Sequence, residues 1–326
     1  MGKTDSLTKE YMRDAEVFAD AFNYFIYGGR SVIRPDYLHE LDTTELATIF
    51  GDKNENVQIQ VYRDVLKSVT AMEDGNKAYM ILGIENQTGV HYAMPIRNMV
   101  YDSLQYYSQV KTISKKSRGI KKNISKAEYI SGFPKDGSLL PVITLVVYFG
   151  AKPWDGPKSL HEMIKLVDAE SLACIDDYNI NLLEPAIMND EDIEKFKTDL
   201  KDVFYFVKYS RDKDKLREIV EKNEDFQNMR RSTAEVIKAV TNSDIKLPEG
   251  KERVDMCLAI EQMREESIAI GEARGEARGL AIGERKGEQK KLFELVKDGL
   301  LTIAQAAGSA KLTEEEFIAE MKKAEF

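Results

Sequence analysis

The chain of 326 residues is poor in cysteine, histidine and tryptophan, and each shortage argues against a class of site. Its two cysteines, Cys174 and Cys257, lie far apart without a pairing pattern, as suits a reducing cytoplasm. The histidines are scattered, so the sequence predicts no zinc site with the usual ligand spacing: His39, His91 and His161. A single tryptophan gives no sign of a sugar cleft, which argues against a carboxylate-pair hydrolase acting on glycans.

Long hydrophobic runs are also missing. The most apolar stretch, Leu139–Phe149, contains a proline and a threonine and is well short of the roughly 18 residues that a membrane span needs. The first residues, MGKTDSLTKEYMRDAE, are polar and include no apolar signal core, so we expect a cytoplasmic protein with no membrane partner. With 43% hydrophobic residues, the chain is too apolar to be wholly disordered.

The charge balance is acidic but unevenly spread. The chain has 47 Lys and Arg against 56 Asp and Glu, a net charge of −9, which as a total argues against a nucleic-acid partner. However, Lys111–Lys126 contains seven basic residues and no acidic one, whereas Glu184–Asp202 and Thr313–Glu320 are rich in carboxylates. The sum is therefore compatible with a local basic track, and any binding to DNA should be modest and sensitive to salt.

Hydrophobic periodicity predicts an α/β core, with a small mixed sheet flanked by helices, and a helical C-terminal extension. A turn signal at Glu73–Asn76 joins two strands into a hairpin. The segment after the hairpin helix, Lys111–Lys126, has little periodicity and is interpreted as an exposed, mobile stretch. The predicted core elements are a helix over Thr8–Tyr27 stopped by Gly28, a short helix over Thr43–Phe50, strands over Val57–Thr70 and Lys77–Gln87, a helix over about Arg97–Val110, and a central strand over Pro141–Phe149.

The C-terminal third differs in composition. Glycine recurs at every fourth position from Gly271 to Gly287, and each glycine costs a helix about 1 kcal/mol relative to alanine. Three interpretations stay open: an exposed flexible stalk, a helix whose glycines allow self-association into a homo-oligomer, and low complexity without a role. Beyond it, Leu292–Met321 predicts two short helices, with Thr313 as an N-cap and Glu316 completing a capping box.

The hairpin carries the candidate chemistry. Asp64 begins one strand and Glu85 ends the next, so adjacent strands can bring the two carboxylates together. Gln87 is two residues after Glu85 and projects from the same face. Mg²⁺ prefers such oxygen ligands, with water or phosphate completing its shell. The alternative is a solvent-facing strand end at which Asp64 pairs with Arg63 or Lys67.

Several segments together resemble a known family. VYRDVLKSV, YMILGIENQTG, AMPIRNMVYDSLQYY and VVYFGAKPWDGPKSLHEM are similar to the Rpn family of recombination-promoting nucleases, also described as YhgA-like transposases. That family is placed in the PD-(D/E)xK nuclease superfamily, which implies a restriction-endonuclease-like core. The resemblance covers roughly residues 10–290. We expect a nuclease-like core over residues 1–210, a helical region over 211–265, a Gly-Glu-Arg repeat stalk over 266–291 and a small helical hairpin tail over 292–326.

The resemblance implies Mg²⁺- or Mn²⁺-dependent hydrolysis of DNA, linked to recombination or mobile elements. Asp64, Glu85 and the backbone carbonyl of Asn86 would hold the metal. Gln87 matches the position of a lysine in the wider superfamily and would orient the attacking water or the scissile phosphate. Because glutamine carries no positive charge, transition-state charge would rest more on the metal. Asp20, on the first helix, is a candidate for an additional acid, the alternative being an ordinary surface carboxylate.

Basic residues after the motif are candidates for DNA contact. Arg97 and Tyr101 are one helical turn apart and can face the same groove, where Arg97 would meet a phosphate and Tyr101 is equally compatible with the core. The basic run would follow the DNA backbone without reading its sequence, through Lys115, Lys116, Arg118, Lys121 and Lys122.

A function of another class remains open. In that alternative the nuclease core is degenerate, and the protein is a DNA-binding or protein-interaction module that oligomerises through its C-terminal tail. Gln87 in the lysine position is the feature that makes this alternative credible.

Overall fold

A computed structural model describes residues 3–41, 44–48, 58–73, 76–120, 125–165 and 168–324. Within these ranges the chain forms nine strands: β1 Leu38–Glu40, β2 Thr44–Thr48, β3 Gln58–Tyr62, β4 Val65–Glu73, β5 Asn76–Gln87, β6 Val142–Tyr148, β7 Asn181–Leu183, β8 Met229–Arg230 and β9 Arg253–Val254. It also forms thirteen α-helices: α1 Lys3–Arg13, α2 Ala15–Tyr27, α3 Met94–Ile120, α4 Lys126–Ser131, α5 Leu160–Met163, α6 Ala169–Ala173, α7 Asp190–Ile193, α8 Leu200–Tyr209, α9 Lys213–Lys222, α10 Arg231–Thr241, α11 Met256–Lys297, α12 Ile303–Ala310 and α13 Glu314–Lys323.

A five-stranded mixed sheet forms the centre of the first of two compact units, Met1–Ala259. Its strand order is β1-β4-β5-β6-β7, with antiparallel pairing among β1, β4 and β5 and parallel pairing from β5 to β7. β5 and β6 are therefore interior strands with a neighbouring strand along each edge, as the apolar runs in their sequences predict. The predicted α/β class, with a small mixed sheet, flanking helices and a helical C-terminal stretch, is confirmed.

Helices cover both faces of this sheet. Leu66 packs with Tyr106 of α3 on one face, whereas the ammonium of its neighbour Lys67 lies over the ring of Phe18 of α2 on the other. The alternation follows from the two-residue period of a strand. α1 also packs against β4, β5 and α10, and α10 in turn packs against α8. The site described below lies at one end of the β4–β5 pair, between the N-terminal parts of α1 and α3.

The N-terminal helical segment is divided in two. The predicted single helix over Thr8–Tyr27 is interrupted at Asp14, whose carboxylate accepts hydrogen bonds from the N–H groups of Glu16 and Val17 and so begins α2. The predicted stop is confirmed, because Gly28 adopts a left-handed conformation with φ of 62° and caps α2.

Two other local predictions are wrong. The short helix expected over Thr43–Phe50 is replaced by β2, whose five residues pair antiparallel with β3. The basic stretch expected to be irregular continues α3 as far as Ile120. β2 gains its backbone hydrogen bonds by pairing with β3, and the basic stretch gains them by continuing α3. A local sequence pattern reveals neither arrangement.

The glycine repeat and the tail belong largely to the second compact unit, Ile260–Phe326. All five repeat glycines lie inside the 42-residue α11, and an added Cβ at any of them would meet no other atom within 4 Å. The tail forms a small core in which the rings of Phe293 and Phe317 lie 4.9 Å apart. The predicted capping box of Thr313 and Glu316 is confirmed at the start of α13.

No helix of the described residues is long and apolar enough to cross a membrane.

Candidate metal and phosphodiester site

The register of the β4–β5 hairpin places Asp64 opposite Glu85. Pairing begins at the turn with Glu73 opposite Asn76 and runs without a bulge to Val65 opposite Ile84. One further step along both strands reaches the two carboxylates. Strand pairing alone therefore brings together residues that are 21 positions apart in the chain.

Hydrogen bonds hold this pair in place. The backbone N–H of Asp64 donates to Oε1 of Glu85 at 3.4 Å. The N–H of Asn86 donates to Oδ2 of Asp64 at 2.9 Å. Each carboxylate is thus fixed through one of its oxygens by the backbone of the opposite strand.

Burial and mutual repulsion set the electrostatics of the pair. Glu85 has 0% of its surface exposed, and burial followed by the negative charge of Asp64 raises the pKa of its carboxyl to about 8. The guanidinium groups of Arg97 and Arg63 oppose that rise. The pKa of Asp64, which is half-buried, is also raised by burial. The two carboxyl groups resist being ionised at the same time, and a divalent cation bound between them would stabilise their ionised forms.

Arg97 and Tyr101 of α3 form the wall beside Glu85. Arg97 Nη2 lies 3.1 Å from Oε2 of Glu85, and Arg97 Nε donates to the hydroxyl of Tyr101 at 2.9 Å. The expectation that the two share one face is correct, since they contact each other directly. Tyr101 is only 2% exposed, so it is a core residue that orients Arg97.

The alternative in which Asp64 pairs with Arg63 or Lys67 is wrong. Arg63 Nη2 lies 3.2 Å from Asp102, which also accepts hydrogen bonds from Thr144 and Tyr178. Lys67, 3% exposed, donates to the main-chain carbonyl of Arg13 at 2.6 Å, near the end of α1. Both cations therefore have partners that hold the sheet to its helices.

Asn86 and Gln87 complete the end of β5. The N–H of Asn86 points toward β4 and binds Asp64, and its carbonyl lies on the same side of the strand, where it can serve a shared ligand. Gln87 is half-buried, shares the face of Glu85 and lies beside Tyr148 in register. Its backbone carbonyl accepts a hydrogen bond from the N–H of Phe149 at 2.8 Å, which ties the end of β5 to the end of β6.

Asp20 does not join this site, and the expectation of an additional acid there is not met. Its Oδ2 accepts hydrogen bonds from the N–H groups of Lys197 and Thr198, both at 2.8 Å, and from the hydroxyl of Thr198 at 2.7 Å. Asp20 is 5% exposed and anchors the segment before α8 to α2. Its position on the side of α2 that faces α8 explains this role, since a buried carboxylate needs such donors.

Two charged residues of α1, Asp5 and Lys9, lie near this end of the hairpin. The hydroxyl of Thr88, just after β5, lies 3.5 Å from Oδ1 of Asp5. The charges of Lys9 and Asp5 both act on the pKa of Asp64, the first lowering it and the second raising it. The sequence does not single out either residue, because an acid and a lysine four positions apart on an amphipathic helix are too common to signal a site.

Three of the basic residues expected to contact DNA lie on the second half of α3. Lys115 and Lys116 are exposed there, and Arg118 belongs to the same helix. Lys121 and Lys122 lie outside the described residues. At 1.5 Å per residue, Lys115 is roughly 27 Å along the helix from Arg97, about the length of eight base pairs.

The donor set fits a hard divalent cation. Asp64 and Glu85 supply two carboxylates, and within the described residues Oε2 of Glu85 accepts no hydrogen bond but lies 3.1 Å from Nη2 of Arg97. Those residues gather no cluster of three or more His, Cys, Asp or Glu side chains around a metal position. Mg²⁺ commonly binds through one or two carboxylates and fills its other positions with water or phosphate, so the pair is sufficient for that ion.

Comparison with known proteins identifies the family. Residues 52–237 match the family described as "Putative transposase, YhgA-like". The curated proteins and the solved structures show no significant match. The matched segment is more than half of the chain and contains Asp64, Glu85, Gln87 and Arg97. The chain therefore belongs to the YhgA-like transposase family, the Rpn family whose motifs its sequence resembles.

Proposed function

We propose that this protein is a Mg²⁺- or Mn²⁺-dependent DNA endonuclease of the PD-(D/E)xK type that hydrolyses phosphodiester bonds, linked to recombination or mobile elements. One observation carries the proposal: Asp64 and Glu85 are held together by strand register and backbone hydrogen bonds inside the segment that matches the family. Membership of a transposase family is consistent with a DNA substrate and with mobile-element biology.

Each residue of the site has a distinct task. Asp64, Glu85 and the carbonyl of Asn86 would hold the ion, which when bound lowers the pKa of water and neutralises charge on a phosphate. Gln87, on the same face as Glu85, would donate a hydrogen bond from its amide to the water or the phosphate and so orient it. Arg97, 33% exposed beside Glu85, is placed to meet a phosphate oxygen.

The rest of α3 would position the duplex. Lys115 and Lys116 contribute exposed charge without an acidic neighbour in the second half of the helix. Contacts of this kind go to the DNA backbone and determine where the substrate lies rather than which bases it contains.

The test is nicking of supercoiled plasmid by the purified full chain with Mg²⁺ or Mn²⁺. We expect Asp64→Asn and Glu85→Gln to abolish nicking while circular dichroism shows a preserved fold. Asp36→Asn is the matched control, because Asp36 is an exposed carboxylate in the turn before β1. Equal nicking by the wild type and the Asp64→Asn, Glu85→Gln double variant would rule out the proposal.

A second candidate is a degenerate core that serves as a DNA-binding or protein-interaction module and oligomerises through α11 and the tail. The observation that favours it is Gln87, which cannot supply the charge of a lysine. Calorimetric titration with Mn²⁺ separates the two functions. Binding by the wild type and its loss in Asp64→Asn would support the nuclease, whereas no heat from the wild type would support the module.

A further inference from the structure

α1 brings a second group of charged side chains to the carboxylate pair. This helix packs against β4 and β5, and its Asp5 lies beside Thr88 just beyond the end of β5. Lys9 follows Asp5 by four residues, so both project from one face of the helix. Lys9 itself is half-buried.

Lys9 borders the buried face of α1, because Thr8 before it and Met12 after it are both 0% exposed. It lies one helical turn from Asp5, which contacts Thr88, the residue that follows Gln87.

Lys9 also differs from the other cations near the pair in having no partner to hold it. Arg97 is engaged by Glu85 and Tyr101, and the fully buried Arg63 is engaged by Asp102. Within the described residues, Lys9 forms neither a hydrogen bond nor a salt bridge. It is therefore the cation at this site that can turn toward a ligand without breaking an existing contact. A lysine suits that task, since its compact charge sits on a flexible stem.

We propose that Lys9 is a catalytic residue that contacts the scissile phosphate and supplies the positive charge that Gln87 cannot. The inference rests on the proposed nuclease function and adds to it the source of the missing cation, which is a different element of the fold and lies 78 positions before Gln87 in the chain. In this arrangement Gln87 orients the attacking water or the phosphate, and Lys9 neutralises the charge on the phosphate. The two residues together replace the single lysine of the wider superfamily.

The experiment compares Lys9→Gln, Lys9→Arg and the control Lys3→Gln, an exposed lysine of the same helix, in the full chain. For each we would measure kcat and KM for plasmid nicking and the Kd for Mn²⁺. Removing one preorganised group that stabilises transition-state charge costs about 10²–10³ in kcat, so Lys9→Gln should lose about that much. KM should change little, Lys9→Arg should recover most of the rate, and Lys3→Gln should match the wild type.

The Mn²⁺ measurement separates a catalytic role from a structural one. Loss of a cation beside two carboxylates should leave Mn²⁺ binding unchanged or tighter. Weaker Mn²⁺ binding by Lys9→Gln would mean that Lys9 maintains the structure of the site. Nicking by Lys9→Gln at the wild-type rate would mean that Lys9 plays no part in the reaction. Either result overturns the inference about Lys9 and leaves the proposed nuclease function standing. A wild type that neither binds Mn²⁺ nor nicks DNA would overturn both.

Discussion

Arg97 Nη2 lies 3.1 Å from Oε2 of Glu85, so a carboxylate with no solvent exposure faces a guanidinium that is 33% exposed. The contact favours ionisation of a group that burial keeps protonated. Arg97 thus helps to make Glu85 available as a ligand, and its own exposure lets it turn to a substrate.

The first prediction concerns the pH at which metal binds. Arg97→Gln removes a charge that lowers the pKa of Glu85, so the pH midpoint of Mn²⁺ binding should rise by about one to three units. Calorimetric titrations across the range from neutral to alkaline pH would measure this shift. Arg34→Gln, which alters an exposed arginine, should leave the midpoint in place. An unchanged midpoint in Arg97→Gln would contradict the assigned role.

A second prediction links Glu85 to stability. The pKa of Glu85 is raised from 4.5 to about 8 in the folded protein. Between those values the folded state keeps a proton that the unfolded state releases, so the free energy of unfolding falls as pH rises from about 4.5 to about 8. Glu85→Gln removes this loss and should match the wild type in acid but exceed it by on the order of 5 kcal/mol at alkaline pH.

Urea unfolding in the presence of a chelator would measure that difference at several pH values. Glu10→Gln is the control, because Glu10 is an exposed carboxylate on the surface of α1. If the free energies of unfolding of the wild type and Glu85→Gln differed by the same amount at every pH, Glu85 would not be the group that titrates.

The third prediction concerns the space above Gly83, on the strand that carries Glu85. A Cβ added there would lie 2.2 Å from Nη1 and 2.8 Å from Cδ of the buried Arg63. Because Arg63 is confined by Asp102 and Tyr101, it cannot move aside freely. We expect Gly83→Ala to destabilise the protein by about 1–3 kcal/mol in urea unfolding.

Gly89 offers the matched substitution for that experiment. It follows the end of the same strand, and an added Cβ would meet nothing within 4 Å. Gly89→Ala should therefore unfold at about the urea concentration of the wild type. A Gly83→Ala protein as stable as Gly89→Ala would show that the guanidinium of Arg63 relocates without cost.

The fourth prediction concerns the basic half of α3. If Lys115 and Lys116 contact phosphates, Lys115→Gln combined with Lys116→Gln should weaken DNA binding and reduce the slope of log K against log salt by about two. Fluorescence anisotropy at a series of salt concentrations would measure the slope. Lys238→Gln combined with Lys251→Gln removes the same charge from other exposed positions and should leave the slope unchanged. Equal slopes in the two double variants would mean that the DNA does not contact Lys115 and Lys116.

Local patterns in the sequence were enough for the hairpin and its carboxylates. Asp64 and Glu85 are joined by one turn, and a strand period of two residues places Gln87 on the same face as Glu85, so nearest-neighbour geometry decides their meeting. The same is true of the helix stop at Gly28 and the capping box at Thr313, where each hydrogen bond spans a few residues.

Other features were decided by tertiary contacts between distant segments. Burial of Glu85 depends on β6 and α3, the role of Asp20 depends on Thr198, and the approach of Lys9 depends on α1 packing across β5. The sequence by itself determined which side chains share a face of one strand or helix. Only the tertiary structure decided which faces meet, because that choice comes from burying apolar surface and satisfying polar groups over the whole unit at once.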